Sequence, residues 1–255
     1  ALTRARAAGL RGLATIEFLL DGETGDFVFM EANPRLQVEH TVTEAISGLD
    51  LVEIQFALAS GRSLEQLGLA DQPFTPSDRR AVQLRINLET LGADGQAMPA
   101  SGTLSVYEPP GGPGIRVDGA GYAGYTNTAG FDSLLAKLVV SGQGSLKELM
   151  RKAYRALCEF RVEGVDTNLE FLRNLGRLPE MADWRVSTSL VEQKMATLAD
   201  ARDDAHPRYF FDQAAPFSPR GTPESCPVTA TQKHLPEGVM AVSYTHLTLP
   251  TNREV

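Results

Sequence analysis

Two hydrophobic periodicities follow one another along the chain, and their order predicts an α+β fold. Segments rich in β-branched and aromatic residues, typical of strands, lie at 12–20 and 27–32. Apolar residues alternate again between 81 and 119, which indicates an antiparallel sheet. Three strands are predicted there: 81–89, 102–109 and 114–119. An apolar stripe at helical spacing then occupies 146–160, so helices follow the sheet along the chain.

Turn formers and capping residues mark the ends of these elements. The stretch DGETGD at 21–26 predicts a hairpin between the first two strands. Residues 43–60 are predicted to form a short helix and a longer one that Asp50 caps. Two further helices begin with the S/T-x-x-E pattern of a capping box, at Ser145 and at Thr167.

Composition along the chain predicts two domains and a tail. A proline-bearing linker at 71–78 separates a first domain, 1–72, from a second domain, 78–199. Residues 200–241 lack a period and are rich in Pro, Ser and Asp, which indicates a flexible linker. Residues 242–255 look like the translation of a sequencing adapter, and we exclude them from the interpretation.

Charge and cysteine content exclude several classes of protein. The chain has 24 basic and 32 acidic residues, a formal net charge of −8, and a nucleic-acid-binding protein would need a basic face. Two cysteines cannot form a disulfide framework, and Cys158 has the apolar neighbours of a buried thiol, so we expect a reducing, cytoplasmic setting. The chain contains no run of about 18 apolar residues, so the sequence predicts no membrane-spanning helix.

The segment EANPRLQVEH at 31–40 is the strongest candidate for a functional site. If the chain stays extended after Pro34, the side chains of Asn33, Arg35, Gln37 and Glu39 share one face. A guanidinium beside two amides and a carboxylate can hold a planar anion next to a base. The alternative is the solvated outer face of a half-buried strand.

Glu17 and Glu31 lie on the two strands of the predicted hairpin. One register sets them directly opposite each other, where like charges repel. A bound Mg²⁺ would offset that repulsion, with Asn33 as a third ligand. A register shifted by one residue would instead turn each glutamate toward water.

Eight short motifs in order resemble the biotin carboxylases. These motifs are GLATIEFLL, FVFMEANPRLQVEHTVTEAISGLDLV, RIN, PASGTL, PPGGPGIRVD, YAGY, FDSLLAKL and VDTN. The resemblance covers roughly residues 5–198. It implies the C-terminal portion of an ATP-grasp fold, followed by the biotin carboxylase C-terminal domain with its mixed antiparallel sheet and helices.

The resemblance also implies a reaction. Enzymes of this family use ATP and bicarbonate to carboxylate protein-linked biotin, as part of acyl-CoA, pyruvate or urea carboxylases. By resemblance, Glu17, Glu31 and Asn33 coordinate the Mg²⁺ or Mn²⁺ ions on ATP. The motif departs from the family pattern after RIN, where Leu-Glu-Thr-Leu at 88–91 replaces the usual Ala-Glu-Asp-Pro. The loop beside RIN is therefore expected to have a different shape.

The remaining roles carried over by resemblance concern bicarbonate and biotin. Arg35 holds bicarbonate with the help of Gln37 and the backbone N–H of Val38, and Glu39 is the general base. Arg85 stabilises the biotin enolate, although the alternation around it also fits an ordinary strand arginine.

The implied partners are a biotin carboxyl carrier domain, a carboxyltransferase domain or subunit, and a second copy of the chain that dimerises through the C-terminal domain. Because ALTRARAAGL at the start reads as part of a helix, we expect a fragment that is inactive in isolation. After 236–242 we expect the native gene to continue into the carrier domain. Two alternatives remain: another ATP-grasp ligase, such as half of a carbamoyl-phosphate synthase, and a docking module without chemistry.

Overall fold

The structure is a computed structural model that describes residues 1–70, 78–128, 130, 132–200 and 206–210. The helices are α1 (Leu2–Ala7), α2 (His40–Ser47), α3 (Leu51–Ala59), α4 (Leu146–Glu159), α5 (Leu169–Gly176), α6 (Pro179–Ala182) and α7 (Leu190–Leu198). The strands are β1 (Thr15–Leu20), β2 (Phe27–Asn33), β3 (Arg79–Asn87), β4 (Glu89–Leu91), β5 (Ala97–Pro99), β6 (Gly102–Thr103), β7 (Val106–Glu108), β8 (Ile115–Gly119), β9 (Thr126–Asn127), β10 (Leu134–Gln143) and β11 (Arg161–Glu163). None of the helices in these described ranges is long and apolar enough to cross a bilayer.

The first two strands form the predicted hairpin. β1 and β2 pair antiparallel in the register that sets Glu17 opposite Glu31, and a bulge follows immediately after Glu17. The carboxylate of Asp21 accepts hydrogen bonds from the backbone N–H groups of Glu23 and Thr24, at 2.8 and 3.1 Å, and so holds the turn. The hairpin and its predicted register are confirmed.

A three-stranded antiparallel sheet in the order β3-β10-β8 carries the hydrophobic core. β10 is the central strand, and its side chains alternate between two faces. Leu138 and Val140 point into the core, whereas Lys137 lies on the opposite face. From the sequence this segment is recognisable only as a family motif, because a continuous apolar run does not distinguish a strand from a buried helix. The predicted strand 102–109 is divided into β6 and β7.

Helices α4 and α5 cover the core face of the sheet. α4 begins with the predicted capping box: the Ser145 side chain accepts from Glu148 N–H, and the Glu148 carboxylate accepts from Ser145 N–H. The capping box predicted at Thr167 is wrong. α5 has Asn168 at its N-cap position without a side-chain cap, because the Asn168 amide bonds to the backbone of β3 instead, and Glu170 pairs with Arg173.

Helices α2 and α3 follow the hairpin, and α2 packs against β3 and β10. Gly48 ends α2 in the left-handed conformation at φ 74°, and Asp50 caps α3 by accepting from Glu53 N–H at 2.8 Å, as predicted. Glu44 on α2 is buried and accepts from Leu51 N–H at 2.9 Å. The two helices therefore form a bent pair that connects the hairpin to the sheet.

One residue of the predicted tail, His206, packs back onto the helices. The His206 ring is buried between α4 and α5, where it contacts the Tyr154 hydroxyl and the Asn174 side chain, each at 2.9 Å. The rest of the predicted linker and the adapter-like segment lie outside the described residues, as does the linker at 71–78 apart from Asp78. The domain boundaries, and the continuation into a carrier domain, stay predictions.

Candidate active site

Four polar side chains converge at the end of the hairpin. Asn33, the last residue of β2, donates from its amide nitrogen to Glu31 at 2.7 Å and to Glu17 at 3.2 Å. Gln37 donates to the same oxygen of Glu17 at 3.4 Å. The antiparallel register places the two carboxylates on the same face of the hairpin, and the alternation along β2 adds Asn33 to that face.

This cluster has the composition of a magnesium site. Two carboxylates that lie directly opposite each other repel unless a cation or a donor lies between them. Mg²⁺ prefers oxygen ligands and is commonly held by one or two carboxylates together with substrate phosphates. The described residues contain no group of three or more His, Cys, Asp or Glu side chains that could hold a metal. The donor set here, two carboxylates and an amide, therefore fits Mg²⁺ on a nucleotide better than a metal held by protein alone.

Residues 34–39 form turns and do not continue the strand, so the predicted shared face of Asn33, Arg35, Gln37 and Glu39 is wrong. Pro34 has no N–H with which to extend the ladder, and Arg35 N–H bonds back to the carbonyl of Asn33 at 2.8 Å. The second turn leads directly into α2. Asn33 and Gln37 still meet at Glu17, whereas Arg35 contacts the Leu36 carbonyl and Glu39 pairs with Arg85.

The turn ahead of α2 is held by His40 and Gln37. His40 Nδ1 donates to the Gln37 carbonyl at 2.7 Å. The side-chain oxygen of Gln37 is buried and has no hydrogen-bond partner among the described residues. Arg35 is exposed, and its guanidinium contacts the Leu36 carbonyl at 3.4 Å. Arg35 and Gln37 thus present an exposed cation and an unsatisfied acceptor.

Glu39 and Arg85 form an ion pair between α2 and the sheet. Arg85 Nη2 donates to Glu39 Oε2 at 2.8 Å, and the Glu39 side chain is only 12% exposed, whereas that of Arg85 is 43% exposed. Arg85 lies on β3 and faces away from the core. Next to this pair, the buried Thr41 hydroxyl donates to the Gln83 side chain. Glu39 and Arg85 are 46 residues apart along the chain, and the fold brings them together.

Three charged residues of the site were missed by the sequence analysis. Lys137 on β10 lies 3.5 Å from the Asp118 carboxylate and donates to the Val38 carbonyl at 3.4 Å. Arg116 on β8 donates to both oxygens of Asp118 at 2.7 and 2.8 Å, and to Glu44 at 2.8 Å. These hydrogen bonds from Arg116 lower the pKa of Asp118 and keep it ionised. A strand assignment for FDSLLAKL would have placed Lys137 on the face that carries Arg85.

Two family models match consecutive parts of this architecture. Residues 1–67, which carry the hairpin and α2, match the ATP-binding domain of the carbamoyl-phosphate synthase L chain. Residues 83–193, which carry the sheet and its helices, match the biotin carboxylase C-terminal domain. The chain belongs to the biotin carboxylase family. The match at residues 83–193 decides against a carbamoyl-phosphate synthase, because the sheet that contributes Arg85 lies in a biotin carboxylase domain.

Individual relatives agree with this family. A pyruvate carboxylase of Pichia angusta is 40% identical over 193 residues, which are 75% of this chain and 16% of that protein. A solved biotin carboxylase domain of a single-chain bacterial carboxylase is 44% identical with a TM-score of 0.69, over 76% of this chain and 44% of that one.

A second solved structure was determined with ligands. It is the biotin carboxylase domain dimer of the 2-oxoglutarate carboxylase of Hydrogenobacter thermophilus, in complex with MgADP, ADP and bicarbonate. It is 33% identical with a TM-score of 0.70, and the match covers 78% of this chain and 42% of that one. The matched part of this chain thus spans 16% of the length of the pyruvate carboxylase and 42–44% of the length of the two solved biotin carboxylase domains.

Proposed function

We propose that this chain supplies the bicarbonate-binding and proton-removing part of an ATP-dependent biotin carboxylase, which carboxylates biotin on a carrier domain. One observation carries the proposal: the Glu17, Glu31 and Asn33 cluster leads, through one short turn, to the ion pair between Glu39 and Arg85. The proposed metal–nucleotide site therefore lies a few residues before the proposed base, and the sheet adds a cation to that base, as a reaction between ATP and a small anion requires.

The hairpin end is proposed to hold the phosphates of ATP through a divalent cation. Glu17, Glu31 and Asn33 would provide the ligands for Mg²⁺ or Mn²⁺, and the cation supplies charge neutralisation on the nucleotide phosphates. The opposed carboxylates support this assignment because a cation offsets their repulsion. The remainder of the nucleotide contacts would come from other parts of the enzyme.

The turn at 35–38 is proposed to bind bicarbonate. Arg35 would offer a fork of N–H donors to the planar anion, and the backbone N–H of Val38 would add another donor. Gln37 contributes in a different way. Its buried, unpartnered oxygen can accept a hydrogen bond from the single hydroxyl of bicarbonate on binding, before that proton passes to Glu39. A buried acceptor without a partner is costly, and a substrate donor would satisfy it.

Glu39 is proposed as the general base that removes the proton of bicarbonate, and Arg85 as the cation that offsets negative charge on the biotin enolate. The ion pair supports both roles. Glu39 is mostly shielded from water and a fixed cation beside it holds its orientation, while Arg85 remains partly exposed and open to an incoming biotin.

We propose the partners on the same basis: a biotin carboxyl carrier domain, a carboxyltransferase domain or subunit, and a second copy of the chain. The relatives named above are multi-domain carboxylases or domains of them, and one was solved as a dimer. The acyl acceptor is left open among acetyl-CoA, propionyl-CoA, pyruvate and urea. The reduced, buried Cys158 is in keeping with a cytoplasmic enzyme.

The test uses the complete enzyme that contains this chain. We expect ATP cleavage that depends on bicarbonate, together with transfer of labelled bicarbonate to biotin. Glu31→Gln should raise the KM for MgATP, and Arg35→Met should raise the KM for bicarbonate, each by roughly tenfold or more, because each removes a charge from a binding contact. Arg155→Met, on the exposed side of α4, is the matched control. ATP cleavage at full rate without bicarbonate would contradict the proposed function.

A further inference from the structure

Lys137 lies at the centre of the site face without a role in the proposed reaction. In the sheet it is opposite Arg85 on one side and opposite Asp118 on the other. Its side chain is only 13% exposed, and its ammonium group lies between the Asp118 carboxylate and the carbonyl of Val38. A lysine that is this shielded from water is retained at the cost of desolvation, and its partners indicate what it does.

The Val38 carbonyl belongs to the peptide that joins Val38 to Glu39. A donor on this carbonyl therefore acts on the backbone of Glu39, whereas Arg85 acts on the carboxylate of the same residue. Lys137 and Arg85 come from adjacent strands in direct register. Lys137 therefore holds the backbone of Glu39, and Arg85 holds its carboxylate.

The lysine is itself held in place. Arg116 binds both oxygens of Asp118, so the carboxylate that faces Lys137 has a fixed orientation. Arg116 also binds the buried Glu44 on α2. The charges thus form a connected series from α2, through β8 and β10, back to the residue that precedes Glu39.

We propose that Lys137 is a positioning residue that fixes the backbone of Glu39 and thereby aims its carboxylate. This inference rests on the proposed role of Glu39 as the base. Lys137 does not touch the substrate. It acts by holding the turn that ends at the first residue of α2.

The structural part of the test uses the chain itself and hydrogen–deuterium exchange. Two backbone amides report on the turn: His40 N–H, which bonds to the Gln37 carbonyl, and Val42 N–H, which bonds to the Glu39 carbonyl. Lys137→Met should speed their exchange by about 3- to 10-fold, the factor that one lost hydrogen bond typically represents. Lys147→Met, at an exposed position of α4, should leave both amides unchanged. Unchanged exchange in Lys137→Met would overturn the proposal.

The kinetic part uses the complete enzyme. Lys137→Met should lower kcat by about tenfold while the KM for MgATP stays constant, and Lys137→Arg, which keeps the charge, should restore most of the loss. In a Glu39→Gln background, Lys137→Met should cost less than about twofold, because the group that it aims is already gone. A further tenfold loss there would show that Lys137 acts independently of Glu39. If Glu39→Gln alone retains full turnover, the proposed base is wrong, while the exchange measurement still decides whether Lys137 holds the turn.

Discussion

Arg85 donates to Glu39 at 2.8 Å although 46 residues separate them along the chain. The contact joins the turn after the hairpin to the outer face of the central sheet. Two segments that match different family models therefore meet at the residues proposed for catalysis. Substitutions of the two partners should have separable effects.

Glu39→Gln should lower kcat of the complete enzyme by roughly 10²-fold or more, because a positioned general base typically contributes 10²- to 10⁴-fold. MgATP affinity should persist, since the proposed metal ligands lie on the hairpin. Steady-state kinetics with bicarbonate and MgATP varied separately provide the measurement. Lost nucleotide affinity with normal turnover would mean that the roles of Glu31 and Glu39 are exchanged.

Arg85→Gln should reduce biotin carboxylation strongly while leaving the fold almost intact. The guanidinium is 43% exposed, and partly exposed ion pairs contribute about 1 kcal/mol or less to the free energy of unfolding. The Tm of the chain should therefore fall by less than about 4 °C. A larger drop in Tm would make the loss of activity a folding effect.

Substitution of Arg173 should lower the free energy of unfolding much more than substitution of Arg85. Its buried guanidinium donates to the carbonyls of Leu157 and Phe160 at 3.0 to 3.1 Å, and it pairs with Glu170. Arg173→Leu would leave these acceptors and a carboxylate without a partner, so urea denaturation should show a loss of about 2–4 kcal/mol. Arg155→Leu is the control, because that side chain is 74% exposed, and it should change the urea midpoint little. Equal losses in both variants would contradict this account.

His206 should make stability depend on pH. Burial lowers the pKa of His206 below its usual value, and the neutral ring satisfies both nitrogens by accepting from Tyr154 and donating to Asn174. Glu170 opposes this shift, whereas Arg173 and Arg177 add to it. Because the unfolded chain binds the proton more tightly, the contribution is complete above about pH 6.5 and is lost as the pH falls below that value.

The measurement is the urea midpoint at about pH 7.5 and about pH 5.5. The parent chain should lose more stability on acidification than His206→Gln, whose amide offers the same donor and acceptor without titrating. Parallel losses in the parent and in His206→Gln would refute the prediction.

Local chemistry made the hairpin and the starts of α3 and α4 predictable. The turn residues at 21–26, the aspartate at position 50 and the Ser145–Glu148 pair act within a few residues, and all three appear in the structure. The direction of the chain after Pro34 was not predictable in this way. There the turn depends on how α2 packs against the sheet, and alternation alone suggested a longer strand.

The positions of residues that depend on sheet register could not be predicted from the sequence either. Lys137 takes its place from the pairing of β10 with two strands that lie far away along the chain. The docking of His206 likewise depends on the helices that meet around it. The roles of the eight candidate residues came from family resemblance, and they stay predictions.

The central position of β10 has a consequence for the register in which the sheet can fold. Because side chains alternate along a strand, a slip of one residue would bury the ammonium of Lys137 in the core and turn Leu138 out toward the site. Such a misfolded sheet would be too unstable to accumulate. The register that packs Leu138 into the core is therefore also the one that places position 137 on the site face, beside the peptide of Glu39.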